Sequence, residues 1–325
     1  MAHAAPARFS RAVGYDRPMS TDATEVRIRP GTIDDNEACA AVLVDAVNDL
    51  GRRNGSIQEG NAIDFTAQWP RWRPFFDHIA RTAAEFWIAE GPDGALIGYA
   101  RSIERDGMFE LTEFFVRPGV QSRGVGRDLL ARAFPLDRGD LRLIIATTDI
   151  RALSRYLRSG VVVRFPVLSF TGAAREVALV GGLDVEPLDL ARDIDAVHAV
   201  DEAVLGHRRE VDHRWFAAER EGYRYLRDGR VVGYGYVGTP DRSGNGPFAV
   251  LGPSDLPAAL AHAERRRHEL GAEETEFEVA LHNRAAVEHL LGRGYRMDAF
   301  MTLVCSSEPF GQFDRYVFCG PALIL

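Results

Sequence analysis

Phe114-Phe-Val-Arg-Pro-Gly-Val-Gln121-Ser-Arg-Gly124-Val-Gly126-Arg-Asp-Leu-Leu-Ala131 reads as a buried strand, a tight basic loop with two glycines, and a helix. A connection of this kind turns backbone N–H groups and a helix N-terminus toward one small volume, which suits a phosphate or pyrophosphate. A Cβ at either glycine would hold such an anion away from the backbone, and some loop positions need φ > 0. Two other phosphate motifs are excluded. A dinucleotide fingerprint wants a third glycine where Leu129 stands, and a Walker loop needs Gly-Lys-Ser/Thr. The chain has no lysine, which also excludes Schiff-base and pyridoxal-phosphate chemistry.

Working outward, 325 residues with 46% apolar and 26% charged content suit a globular chain of two domains. A net charge of −8 argues against a general nucleic-acid binder and is compatible with cationic partners such as amines. Cys39, Cys305 and Cys319 are odd in number and scattered, the pattern of reduced thiols in a cytoplasmic protein. No apolar run is long enough to span a bilayer. Residues 1–22 lack a continuous apolar stretch, which predicts a disordered tail rather than a secretory signal, with Met19 as a second plausible start.

Periodicity predicts a strand over 25–29, a helix from a cap at Thr32 or Asp34 to about residue 50, and a polar loop over 51–61. A helical region over 65–81 follows, with Pro70 and Pro74 near helix starts. Strands over 86–89 and 95–101 form a hairpin about Pro92-Asp-Gly94. Residues 108–116 feed the glycine loop, 126–134 are the helix after it, 141–146 a strand, 150–159 a helix and 161–170 extended. The same order recurs in pattern from residue 183 to 295, without a tight sequence repeat. The expectation is a tail over 1–22, a domain over 23–178 and a second over 179–325. Both are α/β, each a mixed, mostly antiparallel sheet flanked by helices.

The spacing Gln121-x-x-Gly124-x-Gly126, five residues after Val116, is similar to the acyl-CoA-binding motif of the GCN5-related N-acetyltransferases (GNAT). Asp149-x-x-Ala152-x-x-x-Tyr156-x-x-x-Gly160 resembles the family's second motif, with Asp149 in place of Asn and Val161 in place of Phe. The element order extends the resemblance over residues 24–172, and the doubled pattern resembles the tandem type similar to mycothiol synthase. The resemblance implies a cytoplasmic N-acetyltransferase, monomeric or homodimeric, that uses acetyl-CoA as co-substrate and a small-molecule amine as acceptor. It implies that Gln121, Ser122, Arg123, Gly124, Val125, Gly126 and Arg127 bind the pyrophosphate. Backbone groups near Phe115 and Val116 would hold the pantetheine arm and polarise the thioester.

Glu110 lies where the family places its catalytic Glu, which implies a base for the amine proton. Strand alternation puts it on the side of Thr112, Phe114 and Val116, with Glu113 opposite and the weaker candidate. Tyr156 stands where the family's Tyr protonates the departing thiolate. The alternatives are a solvated or Arg-paired Glu110 and a Tyr156 that only packs. No nucleophile suggests an acyl-enzyme, so transfer would be direct, in a ternary complex. The second copy has Leu256, Ala259 and Ala261 for Gln121, Gly124 and Gly126, Asn245 for Glu110, and Leu290 for Tyr156. It is expected to be degenerate and to shape one wall of the acceptor site. No metal site is expected, since His207, Glu210 and His213 read as solvated. Trp69, Trp72, Phe75 and Phe76 line a pocket or pack. Rival readings are an acyl-CoA-binding sensor without catalysis and a structural pseudo-enzyme.

Overall fold

The computed structural model describes residues 26–58, 60–120, 124–178, 181–240, 244–319 and 325. The first half runs β1 (Arg27–Pro30), α1 (Asn36–Asn54), α2 (Phe65–Thr82), β2 (Ala83–Glu90), β3 (Leu96–Arg105), β4 (Met108–Val116), α3 (Val125–Ala133), β5 (Leu141–Thr147), α4 (Ile150–Arg158) and β6 (Val162–Ala173). The second runs β7 (Asp184–Pro187), α5 (Leu190–Val204), α6 (Glu210–Glu219), β8 (Arg220–Arg227), β9 (Arg230–Gly238), β10 (Phe248–Val250), α7 (Leu256–Glu269), β11 (Glu274–Ala280), α8 (Arg284–Gly292), β12 (Arg296–Ser306) and β13 (Tyr316–Val317). Several helices start on side-chain caps legible in the sequence: Asp64, Asp149, Asp189 and Asn283 each accept from a backbone N–H in the first turn.

Two sheets form, ordered β1-β2-β3-β4-β5-β12-β6-β11 and β13-β10-β9-β8-β7. Every neighbouring pair is antiparallel except β4 and β5. The hydrogen bonding crosses the boundary expected at 178/179. Strand β12 is inserted between β5 and β6, and β11 pairs along β6 from Glu274↔Ala173 to Ala280↔Val167. One apolar cluster likewise draws on both halves, joining Val42, Phe76, Tyr99 and Leu143 to Val197, Phe216, Tyr234 and Tyr316. A second lies under α7 and α8, and a third between the first sheet and α3 and α4.

Three local expectations are corrected. The first helix runs through Gly51 to Asn54 and stops at Gly55, whose left-handed backbone (φ 78°) ends it; Gly51 lies inside the helix, where a Cβ would stand 2.5 Å from the Ile57 side chain. Helix α2 continues through Pro70 and Pro74. Each removes one ladder bond, yet neither is buried, so water can reach the released carbonyls. His207 and His213 are buried rather than solvated. His213 lies on α6 between the Asp201 carboxylate, 2.7 Å away, and the Tyr236 hydroxyl, 2.9 Å away.

Candidate active site

The parallel pairing of β4 with β5 covers only Met108↔Leu141 to Leu111↔Ile144. Beyond Leu111 no ladder pair joins them, while β4 stays paired with β3 out to Gly98↔Val116. The strands therefore diverge and open the sheet beside Phe114, Phe115 and Val116. A β-bulge sits at the divergence: Arg101 pairs with Glu113 and Ser102 with Leu111, which leaves Thr112 as the extra residue. Its hydroxyl donates to the Arg101 carbonyl, 3.1 Å away.

The bulge corrects the facing expected from strict alternation. Glu110 pairs with Ile103, and Glu113 with Arg101. Ile103 and Tyr99 belong to the core under α1 and α2, whereas Phe109 and Leu111 belong to the core under α3. Glu110 and Glu113 thus share the α1–α2 face, opposite Phe114 and Val116. Glu113 is committed to a buried ion pair, its Oε2 being 2.6 Å from Arg101 Nε, and it also accepts from the Tyr99 hydroxyl at 2.8 Å. The Arg101 guanidinium in turn lies 4.7 Å from the centre of the Phe86 ring and 5.0 Å from that of Phe76.

Glu110 is wholly buried and accepts from the Leu325 backbone N–H at 3.1 Å. Its other oxygen has no hydrogen-bond partner among the described residues. Burial pushes its carboxyl up to about 8, against the lowering effect of the Leu325 bond; Asp212 nearby raises it further. Its side chain is not part of the cavity described next.

That cavity, of about 820 Å³, passes through the opening between β4 and β5. On one side are Phe114, Val116, Ala152, Arg155 and Tyr156; on the other, Trp72, Phe75 and Phe76 from α2, and Glu276, Glu278, Asp298 and Thr302 from β11 and β12. Trp72, Phe75 and Phe76 line it, while Trp69 packs edge-on against Phe76 at 5.7 Å. Tyr156 is buried and packs edge-on against Phe114, ring centres 6.0 Å apart. Burial raises its phenol well above the ordinary value, which keeps the proton on oxygen at neutral pH.

Of the glycine loop, Gln121, Ser122 and Arg123 lie outside the described residues. Gly124 is the N-cap of α3 with φ 91°, a conformation that disfavours any side chain. Val125 and Gly126 follow at positions where helix N–H groups have no acceptor within the helix. A Cβ at Gly126 would stand 3.2 Å from the Phe114 ring and 3.8 Å from the Arg155 guanidinium carbon. This glycine thus sets how closely α3 approaches β4. Arg127 pairs with Asp128 at 2.8 Å and is well exposed, so that pair holds it only weakly. Sequence reasoning missed Arg155. It lines the cavity beside Gly126, half-buried, with no carboxylate partner among the described residues. The available signal was its place next to Tyr156 in the second motif.

The corresponding connection in the second half is built differently. After β10, a 3-10 turn over Pro253–Asp255 leads straight into α7. The N-cap of α7 is Asp255, whose carboxylate pairs with Arg227 at 2.5 Å. The carboxylate makes no side-chain cap bond to the helix, but its charge beside the helix N-terminus disfavours a phosphate there. Asn245 is buried and bonded to Gly238, Thr275 and Glu276 backbone or side-chain groups, a structural role. Among the described residues no group of three or more His, Cys, Asp or Glu could hold a metal, and no helix is long and apolar enough to cross a membrane.

Residues 56–160 match the family model "Acetyltransferase (GNAT) family". No curated protein matches the chain. Solved structures similar to it include a Pyrococcus horikoshii protein assigned to the acetyltransferases, 15% identical over 93% of this chain and 96% of that one, TM-score 0.67. A GCN5-related N-acetyltransferase from Sphaerobacter thermophilus is 15% identical over 89% and 98%, TM-score 0.58. A tandem GNAT protein from the clavulanic acid biosynthesis pathway is 17% identical over 88% and 99%, TM-score 0.53. At such identities these structures speak for the fold, and the family model speaks for residues 56–160. Together they show that residues 56–160 carry the GNAT family signature and that the chain as a whole has a fold similar to a tandem GNAT structure.

Proposed function

We propose that the protein is an acyl-CoA-dependent N-acyltransferase that moves an acetyl group from acetyl-CoA to an amine of a small molecule by direct attack. The observation that carries this reading is the cavity running through the β4–β5 opening, with Tyr156 in its wall beside the glycine turn. The N–H groups of Val125 and Gly126 and the Arg155 guanidinium suit a pyrophosphate, with Gln121, Ser122 and Arg123 completing the loop. Backbone groups near Phe115 and Val116 flank the opening, where a thioester carbonyl would be polarised.

In the reaction the amine nitrogen bonds to the thioester carbonyl carbon and the carbon–sulfur bond breaks. The nitrogen loses a proton and the sulfur gains one. Tyr156, kept neutral by burial, donates to the sulfur. Glu110 is the final acceptor of the amine proton. With its carboxyl pushed up to about 8 and one oxygen without a hydrogen-bond partner among the described residues, Glu110 takes the proton in its ionised form, so turnover should rise as pH approaches 8. Because Glu110 stands behind the cavity wall, the proton reaches it by relay and not by contact.

An amine screen with acetyl-CoA and free-thiol detection tests the reaction, with calorimetry for the cofactor. One acetyl-CoA per chain is expected, since Asp255 blocks the second helix terminus. Glu110→Gln should lower kcat by ~10²-fold and Tyr156→Phe by a comparable or smaller factor, with acetyl-CoA affinity little changed. Wild-type turnover in Glu110→Gln would remove Glu110 from the mechanism. Binding without turnover of any amine would favour an acyl-CoA sensor.

A further inference from the structure

Glu110 differs from every other buried carboxylate among the described residues. Glu113, Asp193, Asp201, Asp212, Asp255 and Glu264 each stand against an arginine. Glu110 has no such partner. Its one hydrogen bond among the described residues comes from the Leu325 backbone N–H, 3.1 Å from Oε2. The two residues are 215 positions apart, so the second half places a donor on the candidate base of the first.

Both ends of this contact are held by packing. Leu325 is wholly buried and belongs to the same apolar cluster as Met108 at the start of β4 and Phe313 and Phe318 of the second half. Glu110 is fixed by its strand, which pairs with Ile103 on β3 and Leu143 on β5. The charged groups that face it are Asp212 on α6, Arg105 on β3 and Arg209 just before α6. These are already paired: Arg105 with Asp212 at 2.6 Å, and Arg209 with Asp201 at 3.2 Å. Close pairs of opposite charge largely cancel at a distance. The direct N–H is therefore the group left to stabilise a charge on Glu110. A donor binds an ionised carboxylate roughly twice as strongly as a neutral oxygen, so the bond favours the form that can accept a proton.

We infer that Leu325 is a positioning residue for acyl transfer: its backbone N–H holds Glu110 in place and stabilises the ionised carboxylate that takes the amine proton. This rests on the acyltransferase reading above. It gives the second half a part in the chemistry that does not depend on its binding a cofactor.

The test follows kcat against pH in the full chain, with saturating acetyl-CoA and one amine from the screen. Leu325→Pro removes the N–H and keeps an apolar side chain. Its rise of kcat with pH should lie ~1 pH unit above that of wild type, so that kcat at neutral pH falls ~10-fold and the two enzymes converge in alkali. A merely structural role would lower kcat equally at every pH. Leu325→Ala keeps the N–H and should keep the wild-type position of the rise. In a Glu110→Gln background, Leu325→Pro should leave the pH dependence unchanged. A second measurement needs neither turnover nor a folded Leu325→Pro chain. In protein carrying isotope-labelled leucine, the amide signal that Leu325→Ala removes identifies Leu325. That signal should titrate in wild type and stand still in Glu110→Gln. An unshifted rise in Leu325→Pro beside a slow Glu110→Gln, or a Leu325 signal indifferent to Glu110, overturns the inference. Wild-type turnover in Glu110→Gln, or no amine acetylated at all, with the signal still titrating, would overturn the reaction reading instead and leave only the bond between the halves.

Discussion

Glu110 shows how one carboxyl couples stability to pH. In the folded chain it keeps its proton up to about pH 8, whereas an unfolded chain releases it near pH ~4. Between those values the native state binds more protons. Its contribution is therefore fully present at low pH and is lost as pH rises toward 8. Glu110→Gln removes the titration. The melting temperature of that variant should overtake wild type as pH goes from 5 to 9, by at least ~3 °C at the top of the range. A difference that stays flat across the range would mean that the carboxyl is ionised throughout.

At the scale of elements, α6 locks the two halves together. Its Asp212 accepts from Arg105 Nε on β3 at 2.6 Å and faces His78 Nε2 on α2 at 2.6 Å. Burial alone would raise this carboxyl, but the His78 bond and the Arg105 charge outweigh it and hold it well below the usual range. Next to it Trp215 stacks on the His78 ring, centres 5.1 Å apart. Asp212→Ala would leave a buried guanidinium without its partner, and should cost about 3–5 kcal/mol in denaturant unfolding. A loss under 1 kcal/mol would show that Arg105 finds water or another acceptor, and that the contact is not a lock.

At the scale of the whole molecule the halves are joined by exchanged strands. Removing the second half takes β12 from between β5 and β6 and β11 from the outer edge of β6. A fragment of residues 23–178 would then expose the open edges of β5 and β6 and the Val42–Tyr316 cluster cut through its middle. It should aggregate or elute as a mixture in size-exclusion chromatography, and co-expression with residues 179–325 should restore a single species. A monomeric, cooperatively melting 23–178 fragment would show that the first half needs no partner.

Much of this was written in local sequence. The glycine turn at Gly124, the caps at Asp64, Asp149 and Asn283, the doubled element order and the motif around Tyr156 each depend on neighbours a few residues away, so spacing exposes them. The bulge at Thr112 was not legible, because alternation assumes an unbroken ladder and only pairing with β3 reveals the extra residue; hence the face of Glu110 was misread, while Glu113 lies opposite Phe114 and Val116 as expected. The insertion of β12 between β5 and β6 was equally hidden. With it went the carboxylates that the second half sends into the cavity, because strand exchange is decided by which edges meet in three dimensions. Sequence alone determined the superfamily signature and where the glycine turn at Gly124 lies. Tertiary structure decided which carboxylates face the cavity and which are spent holding the molecule together, since burial and partner, not residue type, set what a charge can do.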